Sequence, residues 1–298
     1  MPPVFAESER QAARELIRLA LAEDLAGRGD LTTSAVIPES AVGSVSIVVR
    51  KPGVVSGLPI VPLVFTEVDP RVRVQLEAAD GNQVERGTVV AVLTGATRSL
   101  LIGERTALNF LTHLSGVASL TRRFVDLAKG TRAKILDTRK TLPGWRALEK
   151  YAVRCGGGVN HRMGLYDGVL IKDNHLAAWI GLETRPSLRE AVERARTVSP
   201  KDVAIEVEVE VDSLEQLRDV LKARPDIVLL DNMTPATMKQ AIAIRDGEAP
   251  GVLLEASGGV TMETIAAIAA TGVDRISVGA LTHSAPALDL AFDWGALA

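Results

Sequence analysis

Residues 204–232 read AIEVEVEVDSLEQLRDVLKARPDIVLLDN. The first part alternates Ile/Val with Glu, the two-residue period of a strand. Ser213–Ala223 has a helical pattern, and Asp226–Leu230 is an apolar run ending in Asp231-Asn232. Strand, helix, strand implies a parallel pair joined by a right-handed crossover. The same cadence extends both ways. Further strand-like runs are Ala133–Leu136, Gly168–Ile171, Gly251–Leu254 and Asp274–Val278. Helical patterns lie at Ser187–Val198, Pro235–Arg245 and Met262–Ala270. Six strands in such an order predict an α/β barrel, and fewer than eight predict an incomplete one. A doubly wound open sheet is the alternative.

The texture differs upstream. Ser8 to about Leu25 reads as an amphipathic helix with Ser8 and Gln11 as a capping box, and Gly27–Asp30 ends it. Strands are expected at Val45–Arg50, Val72–Glu77 and Thr88–Leu93. A long helix follows from about Arg98 to Lys129, broken or bent at Ser115-Gly116. Ala287–Asp293 alternates as a strand. The expected organisation is an α+β sandwich domain over 1–116, a barrel-like catalytic domain over 117–282, and a tail over 283–298 returning to the first.

The 298 residues are 47% hydrophobic, enough for a sizeable core. A net charge of −3 and 3% aromatic residues leave neither a basic field nor a stacking platform for nucleic acid. A single cysteine, Cys155, points to a reducing compartment. With no signal-peptide pattern and no long apolar run, a cytoplasmic protein is expected.

Barrel chemistry collects where strands end. Those ends read Asp137-Thr138-Arg139-Lys140, then Lys172-Asp173-Asn174-His175, then Glu206, Glu208 and Glu210. Asp231-Asn232, Glu255-Ala256-Ser257-Gly258-Gly259 and Ser277-Val278-Gly279-Ala280 complete the set. One polar strand end is as easily a helix cap; six together mark a site. From Thr138 to Lys172 seven Arg/Lys stand against Glu149 and Asp167. Arg146, Lys150 and Arg154 share helical spacing and read as a solvated face. Arg139, Lys140 and Lys172 flank apolar strands, where they suit anion capture, with His161 and Arg162 nearby. Three glutamates on one barrel wall need a positive partner, either neighbouring Lys/Arg or a divalent ion held by Glu210 and Asp231. The glycines at 258–259 and 279 precede predicted helices, where backbone N–H groups cradle phosphate.

Longer blocks carry a resemblance. They are Gly29-Asp30-Leu31-Thr32-Thr33, Gly103–Phe110 through His113–Ala118, and Asp137–Thr141 with Pro143-Gly144. They continue with Asn160-His161-Arg162, Ile171–His175, Glu206–Val211, Leu230–Asn232 and Glu255–Gly259. In these the chain resembles the quinolinate phosphoribosyltransferase family over almost its whole length. Ala178–Ser187 departs from the pattern by being longer. The resemblance implies an enzyme of NAD biosynthesis converting quinolinate and PRPP to nicotinate mononucleotide, pyrophosphate and CO2. It implies that Arg105 from a partner subunit, Arg139, His161 and Arg162 hold the two carboxylates, with Thr138 a further substrate contact. Lys140 and Lys172 would stand between quinolinate and the PRPP phosphates. Glu210 and Asp231 would serve the ribose hydroxyls and Mg2+, directly or through PRPP. Ser257, Gly258, Gly259 and Gly279 would receive the 5′-phosphate, with Ser277 also a substrate contact. It also implies a homodimer or a dimer-based hexamer. Three rivals remain at this point: a sister transferase for a monocarboxylate, a Schiff-base aldolase using Lys140 or Lys172, and a non-catalytic anion binder.

Overall fold

The computed structural model describes residues 3–172, 174–175, 178, 187–198 and 205–294. Most of the Ala178–Ser187 segment and Asp173 lie outside the described residues. The chain forms two compact units interleaved in sequence. One comprises residues 1–123, 140–158 and 280–298; the other comprises 124–139 and 159–279.

The second unit carries six strands: β6 (Lys134–Leu136), β7 (Val169–Ile171), β8 (Val207–Val211), β9 (Ile227–Asp231), β10 (Leu253–Ser257) and β11 (Arg275–Ser277). Their order is β6-β11-β10-β9-β8-β7, and every neighbouring pair is parallel. The order never reverses, so the sheet is not doubly wound. Among the described residues β6 and β7 do not pair, and the barrel stays incomplete there. Ile227 to Leu230 are all buried, as expected of a parallel strand covered on both faces. The crossovers are well signalled. The helix Leu214–Leu221 is capped by Ser213, whose hydroxyl accepts from Gln216 N at 3.4 Å. The helix Pro235–Glu248 starts with Pro235 after the Thr234 cap. Away from the strand ends, buried Arg245 ties Val252 O (2.6 Å) and Asp274 (2.9 Å).

The first unit contains β1 (Val42–Val49), β3 (Arg73–Leu76), β5 (Val89–Ala96) and β12 (Leu290–Trp294) in an antiparallel sheet ordered β12-β1-β5-β3. Strands β2 (Gly53–Val54) and β4 (Gln83–Val84) form a separate ribbon. Helix α1 (Glu7–Leu25) buries Ala13, Ile17 and Leu21 on one stripe. Its cap is Ala6, not Ser8: Glu9 reaches back to accept the Ala6 N–H at 3.1 Å. Helix α3 (Ile60–Val68) was unexpected; the buried Asp80 carboxylate accepts the Gly57 and Leu58 N–H groups at 2.9 and 3.0 Å and Tyr151 Oη at 2.7 Å.

Two further expectations are corrected. Arg146, Lys150 and Arg154 lie on the helix Arg146–Cys155, but they are not a solvated face. Lys150 is fully buried, Arg154 donates to Glu9 (2.8 Å) and covers the Tyr151 ring, and Arg146 donates to Thr141 (3.1 Å). Helix α4 (Thr97–Leu127) runs through Ser115-Gly116 unbroken. Ser115 Oγ accepts from Ser56 N (3.0 Å), and a Cβ on Gly116 would strike the Pro286 carbonyl. The glycine serves close approach of the tail. Gly116→Ala improves helix propensity by ~1 kcal/mol, yet overpacking costs ~1–3 kcal/mol. The variant should therefore melt below the wild type in calorimetry; a higher Tm would refute the packing role.

Candidate active site

The site is built at the carboxyl ends of the second unit's strands. Asp137, fully buried, follows β6 and accepts the Asn160 amide at 2.6 Å and the His161 N–H at 2.9 Å. Val159 bridges to Leu136, so the Asn160-His161-Arg162 turn hangs from the β6 end. Thr138 is half-buried there and Arg139 is exposed. Arg162 donates from its guanidinium to Gly168 O at 2.7 Å. Burial and the positive charge of Arg139 together depress the Arg162 pKa. Two like charges held this close suit an anion with more than one carboxylate or phosphate.

Lys172 follows β7, and its Nζ pairs with Glu210 on β8. Asp231 ends β9 and accepts Asn232 Nδ2 at 2.8 Å. Asn232 has φ 52°, and its N–H donates to Ser257 O at 2.9 Å. Gly258 and Gly259 follow with φ of 86° and 59°, and a Cβ on Gly258 would collide with the Asn232 side chain. Successive left-handed residues turn N–H groups to one side, as in an anion nest. This corrects the helix-terminus expectation at that point, because the next helix is only Ile265–Ala269.

Glu206 is exposed and leaves the barrel wall. Glu208 and Glu255, 3% and 0% exposed, lie inside it with His161. Glu255 is mid-strand in β10 rather than at a strand end. His161 Nε2 stands 3.0 Å from Glu208 Oε2 and 3.4 Å from Glu255 Oε1; Arg275 donates to Glu255 at 2.7 Å. Ser277, expected among the substrate contacts, is buried and hydrogen-bonds Glu255. Burial raises Glu208 above the usual carboxylate range, and its bond to His161 only partly opposes this. Burial pushes Glu255 the same way, but His161, Arg275 and Ser277 hold it below that range. Burial works against a charged His161, while the two carboxylates pull its pKa the other way, upward. A second ring proton would have to sit on Nδ1, where the Arg162 N–H already donates at 2.8 Å. That geometry favours the ring protonated on Nε2 alone, with the carboxylates' pull expressed as a strong Nε2–H hydrogen bond.

The sequence missed Glu255 and Arg275 as members of this cluster. A charged residue centred in an apolar strand was the available signal. Arg105 and Lys140 belong to the other compact unit. Arg105 is exposed on α4, and the Lys140 carbonyl accepts from Thr282 Oγ1 at 2.7 Å.

An incomplete α/β barrel has thus gathered guanidinium and ammonium groups, two carboxylates and a glycine nest at one end of its strands, which defines the class of barrel protein that takes a small polyanion. The chain belongs to the quinolinate phosphoribosyl transferase family. The family's C-terminal domain matches residues 117–293 and its N-terminal domain residues 30–115. The chain is 47% identical over 292 residues to the nicotinate-nucleotide pyrophosphorylase [carboxylating] of Mycobacterium leprae, covering 97% of this chain and 100% of that one. It is 41% identical to a probable enzyme of that name from Bacillus subtilis, over 94% and 92% of the two chains. The nicotinate-nucleotide pyrophosphorylase structure from Francisella tularensis superposes with TM-score 0.86 at 38% identity, covering 96% of each chain. The NadC structure from Streptococcus pyogenes gives 0.86 at 40% identity over 94% of each. Human nicotinic acid phosphoribosyltransferase, at 14% identity and TM-score 0.60 over 95% of this chain and 74% of that one, shares the fold alone.

Proposed function

We propose that this chain is a carboxylating nicotinate-nucleotide pyrophosphorylase: it transfers the phosphoribosyl group of PRPP to quinolinate and yields nicotinate mononucleotide, pyrophosphate and CO2 for NAD biosynthesis. The observation that carries the reading is the charge layout at the strand ends. Arg139 and Arg162 stand together at one side, the Lys172–Glu210 pair and Asp231 follow, and Gly258-Gly259 close the row. A pyridine dicarboxylate suits the paired guanidiniums, and a sugar phosphate suits the glycines. Arg105, Thr138, Lys140 and Gly279 complete the substrate contacts in this reading, with His161 treated separately below.

As pyrophosphate departs, positive charge develops on the ribose ring, and Glu210 and Asp231 stabilise it. Lys140 and Lys172 neutralise the leaving phosphates. The quinolinate nitrogen bonds the ribose carbon and becomes cationic. The adjacent carbon–carboxylate bond then breaks; its electron pair stays on the ring carbon, stabilised by that cation, until the carbon takes a proton. The protein's work is orientation and charge stabilisation. Glu210 and Asp231 end adjacent strands with hard oxygen donors, the set Mg2+ takes together with phosphates and waters. Bound Mg2+ would neutralise the departing pyrophosphate. The reading also places the enzyme in the cytoplasm, as a homodimer or dimer-based hexamer in which Arg105 completes a neighbouring site. Among the described residues no helix is long and apolar enough to cross a membrane.

Carboxyl-labelled quinolinate should release CO2 only when PRPP and Mg2+ are both present, with pyrophosphate formed in equal amount. Turnover of nicotinate instead, or no pyrophosphate, refutes the assignment.

A further inference from the structure

His161 is anchored at three points. Its backbone N–H donates to Asp137, its Nδ1 accepts from Arg162 N, and its Nε2 lies between the Glu208 and Glu255 carboxylates. The side chain is only 10% exposed. A singly protonated imidazole has one N–H, and here Glu208 Oε2 takes it at 3.0 Å, with Glu255 Oε1 adding its charge from 3.4 Å. The ring therefore has no donor to offer a substrate carboxylate. What it does hold is the peptide of Arg162, whose guanidinium stands beside the like-charged Arg139. Without ligand those two cations push apart, so aiming them at one dianion needs a rigid mount. Arg275 compensates Glu255 from the next strand, and Ser277 also bonds it. Glu208 Oε1 and Glu255 Oε1 are buried without a hydrogen-bond partner among the described residues. Two carboxylates kept inside a barrel at that cost call for a role.

We propose that Glu208 and Glu255 are positioning residues that clamp His161 in the Nε2–H form, and that the clamped ring fixes the Arg162 backbone so that its guanidinium meets quinolinate. His161 is thereby a strut under the site rather than a ligand of the substrate. The kinetic consequence rests on the proposed transferase reading; the geometric claim does not.

The test has two arms on the full-length chain. Nitrogen-15 NMR of labelled histidine at neutral pH should show His161 protonated at Nε2 and unprotonated at Nδ1. Glu208→Leu removes one acceptor and should raise the quinolinate KM about tenfold, the worth of one hydrogen bond at ~1.4 kcal/mol. The PRPP KM and kcat should stay within about threefold, because the lost aim affects binding of one substrate only. Glu208→Gln, whose amide oxygen accepts the same N–H, should recover most of the loss. A proton on Nδ1, or a His161 resonance that shifts when a chelator is added, overturns the clamp; so does a folded Glu208→Leu protein with wild-type quinolinate KM, or one losing kcat alone. If Glu208→Leu does not fold, the wild-type tautomer and Glu208→Gln decide. If no CO2 is released from quinolinate the function reading fails, while the tautomer still tests the clamp.

Discussion

Arg139→Ala lowers kcat/KM for quinolinate about a hundredfold or more while the KM for PRPP stays within about threefold. Removing one partner of a desolvated charge pair costs ~2–5 kcal/mol, and each 1.4 kcal/mol is a factor of ten. Arg139 is exposed just past β6, and the charge it presents depresses the pKa of Arg162. Its loss relieves that repulsion, so the folded protein should be no less stable. A drop in Tm with unchanged kinetics would sink the assignment. Mixed in equal amounts with Arg105→Ala, the variant should regain about a quarter of wild-type activity if the site is shared between subunits, since half the random dimers carry one intact site. No recovery would place Arg105 in its own subunit's chemistry.

Gly258→Ala raises the PRPP KM about ten- to a hundredfold and leaves quinolinate binding nearly untouched. At φ 86° a non-glycine residue costs ~1–2 kcal/mol. The added methyl also runs into the Asn232 side chain, which donates to Asp231. One carbon therefore disturbs both the nest and the neighbouring carboxylate. Gly259→Ala is the control: its φ is also positive, at 59°, but Asn232 Oδ1 lies 3.9 Å from the added Cβ. It should do less harm. Equal effects from the two would show that backbone strain alone matters.

These two sites illustrate what local sequence carries. The Val/Glu alternation of β8 and the run Ile227–Leu230 declared their strands because burial imposes its period on neighbouring residues. The helices after them declared themselves by their apolar spacing, and Ser213 and Thr234 cap them through bonds that reach only three residues. Helix α3 declared nothing: the Gly57 and Leu58 N–H groups of the turn that leads into it are met by Asp80, far along the chain and itself held by Tyr151. Gly116 looked like a helix breaker because its reason is Pro286. Lys150 looked solvated because helical spacing counts charges but does not see what covers them.

The site shows the same division. Arg139, Lys172, Glu210, Asp231 and Gly258 stood out as chemistry placed at strand ends. The end of β10 was read at Leu254, three residues short of Ser257, so Glu255 was placed past the strand and not inside it. Arg275, the first residue of the short strand β11, was a charge in an apolar run whose partner became visible only with Glu255 beside it. A side chain that works through another side chain is legible only once both are in place.

The pairing of β12 with β1 has a consequence for how the chain is made. Val45 to Val49 lie opposite Trp294 to Leu290, at the far end of the described sequence. On a ribosome that emits residues in order, the β1 edge emerges about 240 residues ahead of its cover. Throughout that interval it offers unpaired N–H and C=O groups and a row of valines to any extended peptide nearby. The nascent protein therefore passes through a stage in which this edge is open to wrong pairing.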